Sequence, residues 1–311
     1  MPQPKRVPSI VLLVFSILAV STAAILIRLV NDQASALVIA AYRLSFSALI
    51  SGALYLTGKH DTKNLNRRSL MWMALSGAFL AAHFAAWISS LELISVSSSV
   101  ILVTTTPLWV ALLSPLVLKE KVRPVFYVGM AFALLGGLTI ALSSSCTAAG
   151  SGLVCAPGPL GGSPQTLKGM FLALLGAWMA AGYMLIGRKI RAQTDNSQYT
   201  LIVYASAALI LVFASVFRGE KLFGYSPRVY IVFLAMALIP QMLGHSVLNY
   251  ALKFLPATLI SMALLGEPIG STILAVLFLK EIPSTMEIIG GILILIGITV
   301  SVLPSKPANA A

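Results

Sequence analysis

The chain of 311 residues is 58% hydrophobic and only 10% charged, with a net charge of +12 and a mean hydropathy of +0.94. A soluble domain carries about 25% charged residues, so this composition excludes an ordinary soluble enzyme. The positive charge does not indicate nucleic acid either, because it sorts by side once membrane spans are placed.

A bilayer-crossing helix needs about 20 apolar residues, and such runs follow one another along the chain. Ten are predicted, at 9–30, 34–57, 70–91, 96–118, 123–143, 168–187, 198–217, 229–250, 256–279 and 285–303. The first is too long and wrongly flanked for a cleaved signal peptide. The expectation is an all-α integral membrane protein, with short tails at 1–8 and 304–311 and a loop at 144–167 between two five-helix units, 9–143 and 168–303. With the N-terminus in the cytoplasm, fourteen Lys and Arg fall on the cytoplasmic side and six on the other. That asymmetry places both termini inside, with the basic residues over anionic lipid.

Several polar residues interrupt the spans. Arg43, in the second, either snorkels to the headgroups or pins backbone carbonyls, or it lines a cavity. In the third span His83 and Trp87 share a helical face, while Trp72 sits at a span end, as an interfacial aromatic does. The fourth holds Pro107 and Trp109. The loop carries the only two cysteines, Cys146 and Cys155. This topology puts them outside, where a bridge persists, although two free thiols are the alternative. The sixth span contains Trp178 and Tyr183. In the eighth, Gln241, His245 and Asn249 are spaced by four on one face, and Pro240 is expected to interrupt the helix.

The ninth span reads "LISMALLGEPIGSTILAVLF" and holds Glu267 in its middle. The nearest charges, Lys253 and Lys280, lie fourteen and thirteen residues away, roughly 20 Å along a helix. The other eight acidic residues (Asp32, Asp61, Glu92, Glu120, Asp195, Glu220, Glu281 and Glu287) fall at helix ends or in loops. A charge at mid-bilayer costs roughly 2.5–3.5 kcal/mol on insertion scales and normally faces a cavity. Glu267 is therefore a candidate binding or coupling group; a clamp between helices is the plainer alternative. Pro268 and Pro107 cannot donate to the carbonyls of Leu264 and Val103, which predicts free carbonyls at mid-depth in both halves.

Shifted by 161 positions, "TPLWVALLSPLVLKEK" (106–121) lies over "EPIGSTILAVLFLKEI" (267–282), matching Pro107 to Pro268, Lys119 to Lys280 and Glu120 to Glu281. Gly129 then matches Gly290, and Gly136 matches Gly297. Five spans per unit is odd, so the halves enter the membrane from opposite sides. They are expected to be inverted repeats, as in alternating-access transporters with a midplane site.

The segments "AAYRLSFSALI", "LELISVSSSVILVTTTPLWVALLSPLVLKEKV", "GAWMAAGYMLIGRK" and "LISMALLGEPIGSTILAVLFLKE", with the Gly-containing fifth and tenth spans, resemble the drug/metabolite transporter superfamily in its EamA-like ten-helix branch. Lys119 and Lys280 depart from it, since many members carry glycine before the glutamate. The resemblance covers nearly the whole chain and implies a bacterial inner-membrane exporter, with a cavity lined by helices one, three, four, six, eight and nine. The residues suggest a small amphipathic substrate, such as an amino acid with an aromatic or hydrophobic side chain. Glu267, His83, Trp87, Trp109, Trp178, Tyr183, Gln241, His245, Asn249 and Arg43 are the candidate cavity residues.

Proton-coupled efflux of cationic drugs is the alternative. An intramembrane enzyme fits poorly, as HExxH, GxSxG and P-loop patterns are missing. A phosphorylated-sugar carrier would want several basic residues in its cavity. The sequence calls for no cofactor, metal or nucleic-acid partner, and a monomer suffices.

Overall fold

The computed structural model describes residues 9–58, 66–118, 124–143, 146–149, 152–155, 163–191, 194–255 and 257–302. Glu120, Lys119, Asp61, both tails and most of the long loop fall outside them. The ten apolar runs are helical, with boundaries within a few residues of those expected. The first span comprises Ser9–Ser21 and Ala23–Arg28, the second Ala36–Thr57 and the third Arg67–Leu91. The fourth is broken into Val96–Val103 and Thr106–Leu118, and the fifth is Pro124–Ser143. Two short antiparallel strands, Cys146–Ala149 and Gly152–Cys155, form a hairpin in the connecting loop, with Cys146 opposite Cys155. The sixth span is Pro164–Arg191, four residues longer at its start than expected, and the seventh is Asn196–Phe217. The eighth runs from Pro227 to Ala251, the ninth is Ala257–Ala263 followed by Gly266–Leu279, and the tenth is Thr285–Val302.

Seven of these helices are long and apolar enough to cross a membrane, and the shorter apolar helices account for the fifth, ninth and tenth spans. Their outward faces carry large apolar side chains such as Leu116, Phe213 and Phe217, where lipid tails rather than water are the natural solvent.

A close helix crossing reveals how the halves are related. Span five packs along span ten, and at its glycines there is no room for a Cβ. A Cβ on Gly136 would meet the Gly290 carbonyl oxygen at 2.5 Å, and one on Gly290 would meet that of Gly136 at 2.7 Å. Farther along, Gly297 overlaps the Gly129 carbonyl in the same way. As one helix advances from 129 to 136, the other retreats from 297 to 290, so the two run antiparallel. Under the offset of 161 these two contacts exchange, because 136 becomes 297 and 290 becomes 129. A rotation that exchanges the repeats also turns one over, which makes them inverted repeats. Small residues at such crossings let backbones approach, and van der Waals packing then holds the helices in lipid.

Carboxylates finish the helix ends near the hairpin, where exposed N–H groups and the helix dipole favour negative charge. Glu92 Oε1 accepts from the Ala36 amide (3.0 Å) and Glu281 Oε1 from the Val96 amide (2.5 Å). Arg28 donates to the Ile94 carbonyl (2.8 Å) and lies 3.8 Å from Glu281. Glu287 accepts from Ser95, Ser98 and the Ser284 amide. These acidic residues serve helix ends.

Candidate functional site

A cavity lies between the halves, walled by spans one, three, four, six, eight and nine, the six helices the resemblance implied. Its wall includes His83, Trp87, Thr104, Thr106, Pro107, Tyr183, His245, Asn249 and Glu267. It is small, about 60 Å³; a site for a single water needs about 10–15 Å³ by the same measure. This volume holds a few waters, and a solute the size of an amino acid needs the helices to part.

Most polar groups on this wall are already satisfied. Tyr183 donates its hydroxyl to Asn249 Oδ1 (2.7 Å), and the Asn249 amide reaches Tyr204 Oη (3.4 Å). Tyr204 in turn shares a hydrogen bond with Ser246 (2.9 Å). His83 donates from Nδ1 to the Gly176 carbonyl (2.9 Å), which leaves Nε2 as its acceptor if the ring is neutral. Its ring stacks parallel to Trp87 at 6.1 Å. These bonds fix two walls of the cavity.

Glu267 differs from these. It faces the cavity, and among the described residues no hydrogen bond forms to its carboxylate; Arg43 supplies the one charge acting on it. Among the described residues, His245, also facing the cavity, has no hydrogen bond, and the buried Trp87 Nε1–H has no partner. A carboxylate clamping helices would be bonded to the neighbour it clamps. This one has no such partner among the described residues.

Several expectations need correction. The carbonyls opposite the prolines are occupied. Leu264 accepts from the Glu267 amide (3.0 Å), a bond of the tighter i→i+3 kind, and Val103 accepts from the Thr106 hydroxyl (2.8 Å). The breaks at Thr104–Thr105 and Leu264–Leu265 therefore bend the chain without offering bare carbonyls. Pro240 does not interrupt the eighth span. The helix widens there into a π-helical stretch, Ala237–His245, whose i→i+5 bonding absorbs the missing amide.

That widening also undoes the four-residue stripe. Gln241 turns away from His245 and Asn249 and accepts from Arg43 Nε (2.8 Å). Arg43 is fully buried and reaches no headgroups; its guanidinium lies 4.1 Å over the Phe84 ring. Neither Arg43 nor Gln241 is on the cavity wall. Trp178 is 46% exposed and packs edge-on against Trp109 at 4.8 Å, while Trp109 donates to Thr105. That pair lies off the cavity wall too: depth in a span does not fix which way a side chain points. Arg191, at a span end where an exposed charge is expected, is almost wholly enclosed and donates to the Asn249 and Thr194 carbonyls.

Two polar wall residues were not among the sequence candidates, Thr104 and Thr106. The repeat carried the signal for the second, since Thr106 is the residue that the offset of 161 brings onto Glu267.

A broken helix in each half, facing one cavity between inverted repeats, is transporter architecture. The EamA-like transporter family matches this sequence twice, over residues 7–142 and 167–303, one match per repeat. The chain belongs to the EamA-like transporter family. Its similar relatives include the "Uncharacterized transporter YdfC" of Bacillus subtilis, 24% identical over 217 residues. An "Uncharacterized transporter" of Clostridium kluyveri is 25% identical over 214 residues. These alignments take in 70% and 68% of this chain and span 65% of the length of each relative. A protein of known crystal structure superimposes with a TM-score of 0.65 at 18% identity, covering 96% of this chain and 98% of that one; it shares the fold. With seven helices long and apolar enough to cross a membrane and three shorter apolar ones, this transporter-family chain is a multi-pass membrane protein.

Proposed function

We propose that the transporter exports small amphipathic metabolites, foremost amino acids with hydrophobic or aromatic side chains, across a bacterial inner membrane by alternating access. The excess of basic residues on one side supports both termini in the cytoplasm. The observation that carries the reading is the Glu267 carboxylate, exposed to the cavity and bonded to no described residue. An ammonium group is its natural counterpart, as charge-assisted hydrogen bonds are the strong ones. Tyr183 and Asn249 supply further polar contacts, and Trp87, Met184 and Leu248 cover the apolar part.

The test is Glu267→Gln, which keeps the shape and removes the charge. In proteoliposomes the variant is expected to be folded and monodisperse yet to lose at least about tenfold in counterflow of L-leucine or L-phenylalanine, the scale of one lost charge-assisted bond. Transport equal to the unsubstituted protein at every pH would make the carboxylate structural and overturn the reading. Efflux of organic cations would use the same carboxylate; Arg43 separates the two readings.

A further inference from the structure

The second charge of the membrane core is Arg43. It is fully buried, bonded through Nε to Gln241, and set over Phe84. Among the described residues, neither terminal nitrogen, Nη1 or Nη2, has a hydrogen-bond partner. The ring contact softens this charge without neutralising it. Among the described residues, Glu267 is the one carboxylate acting on it. A ring layer of two side chains leads from Arg43 toward the cavity: Phe84 beneath the guanidinium and, edge-on to it at 5.5 Å, His245 on the cavity wall.

A simple cation drawn to Glu267 would lie in the repulsive field of Arg43. A simple anion would meet the reverse. A zwitterion answers both charges, and at short range in a medium of low dielectric both matter.

We propose that Arg43, with Gln241, is a specificity-determining residue of the site: it favours solutes that carry a carboxylate beside their ammonium and disfavours the corresponding amines. The ammonium sits at Glu267 and the carboxylate is oriented toward the His245–Phe84 side, behind which the guanidinium lies. This rests on the reading of Glu267 as the ammonium site and adds the substrate's second charge. Arg43 acts through its field across the ring layer, so direct contact is not required.

The experiment compares L-leucine and L-phenylalanine with their methyl esters, which keep the ammonium and side chain and lose the negative charge. Each competes for transport in proteoliposomes holding the full chain. The unsubstituted protein is expected to prefer each amino acid over its ester by about tenfold, the order of one screened charge. Arg43→Gln should bring the ratio near one, mostly through improved ester competition, and Arg43→Lys should retain the preference. A purely structural arginine would lower all transport without moving the ratio.

Equal competition by ester and acid in the unsubstituted protein overturns the inference, even if Arg43→Gln does not fold. So does a ratio left intact by Arg43→Gln. If Glu267→Gln transports both normally, the ammonium site itself is wrong and the inference falls with it. If that variant loses both while the ratio of the unsubstituted protein is one, only the role of Arg43 fails.

Discussion

In the fourth span the residue before the mid-membrane proline is Thr106; in the ninth it is Glu267, at the equivalent position of the repeat. Both helices break within one residue of the equivalent place, and both residues reach the cavity. Yet Thr106 spends its hydroxyl on carbonyls, Val103 at 2.8 Å and Ala177 at 3.4 Å, whereas the Glu267 carboxylate has no hydrogen bond among the described residues and only the charge of Arg43 acting on it. The same offset sets His245 against Phe84, Arg43 against Tyr204, Gln241 against Leu80 and Asn249 against Ile88. His245 and Phe84 touch each other, as equivalent residues do near a two-fold axis. The frame is close to symmetric and its chemistry is not. A symmetric frame suits an exchange between two similar states, while a ligand with distinct ends needs distinct walls.

The largest expected effect comes from exchanging that chemistry. Glu267→Thr would make the ninth span resemble the fourth, and substrate counterflow should fall at least as far as with Glu267→Gln, by about tenfold or more. Thr106→Val should change counterflow by no more than about threefold, because its hydroxyl is committed to carbonyls; the cost is about 1 kcal/mol of stability. Equal losses from the two would show that the breaks, rather than the carboxylate, make the site.

How much of this was legible in the sequence follows from what each signal measures. Apolar run length is set by bilayer thickness, so the ten spans could be read directly. The inverted repeat could be read too, because glycines and prolines at fixed spacing are rare coincidences even in apolar sequence. Glu267 stood out because the sequence holds no charge within roughly 20 Å of it along the helix. Azimuth was the weak point. Trp178 lies as deep as a cavity residue but on the outer face, and the Gln241–His245–Asn249 stripe assumed 3.6 residues per turn in a stretch that widens to π geometry. The free carbonyls failed for a local reason, since a hydroxyl or a tighter backbone bond filled them.

A second, smaller effect tests the symmetry itself. Gly136 and Gly297 are equivalent, and each lies against a backbone carbonyl of the facing helix; Gly137, next in sequence, has open space at its Cβ position. Gly136→Ala and Gly297→Ala should each destabilise the detergent-solubilised protein by about 1–3 kcal/mol through overpacking. Gly137→Ala should leave the thermal midpoint unchanged or raise it, as alanine favours helix by about 1 kcal/mol. A large loss at one of the equivalent glycines and none at the other would break the two-fold description of this crossing.

The smallest effect is expected where the symmetry has no counterpart, in the hairpin that joins the halves. Its register puts Cys146 directly opposite Cys155. Opposed residues of an antiparallel pair have Cα atoms about 4.5–5.5 Å apart, inside the roughly 4.4–6.8 Å that a disulfide spans. The side chains of the two cysteines lie outside the described residues, so the bridge is a proposal from backbone register and from a compartment where such bonds persist. Protein purified without reductant should resist alkylation at both positions until reduced; quantitative labelling of both beforehand would rule the bridge out. Replacing both with serine should leave the acid-to-ester preference unchanged, because none of the described cavity-wall residues comes from the hairpin. A shift in that ratio on opening the hairpin would mean that the link between the halves, and not only the chemistry within them, sets what the site accepts.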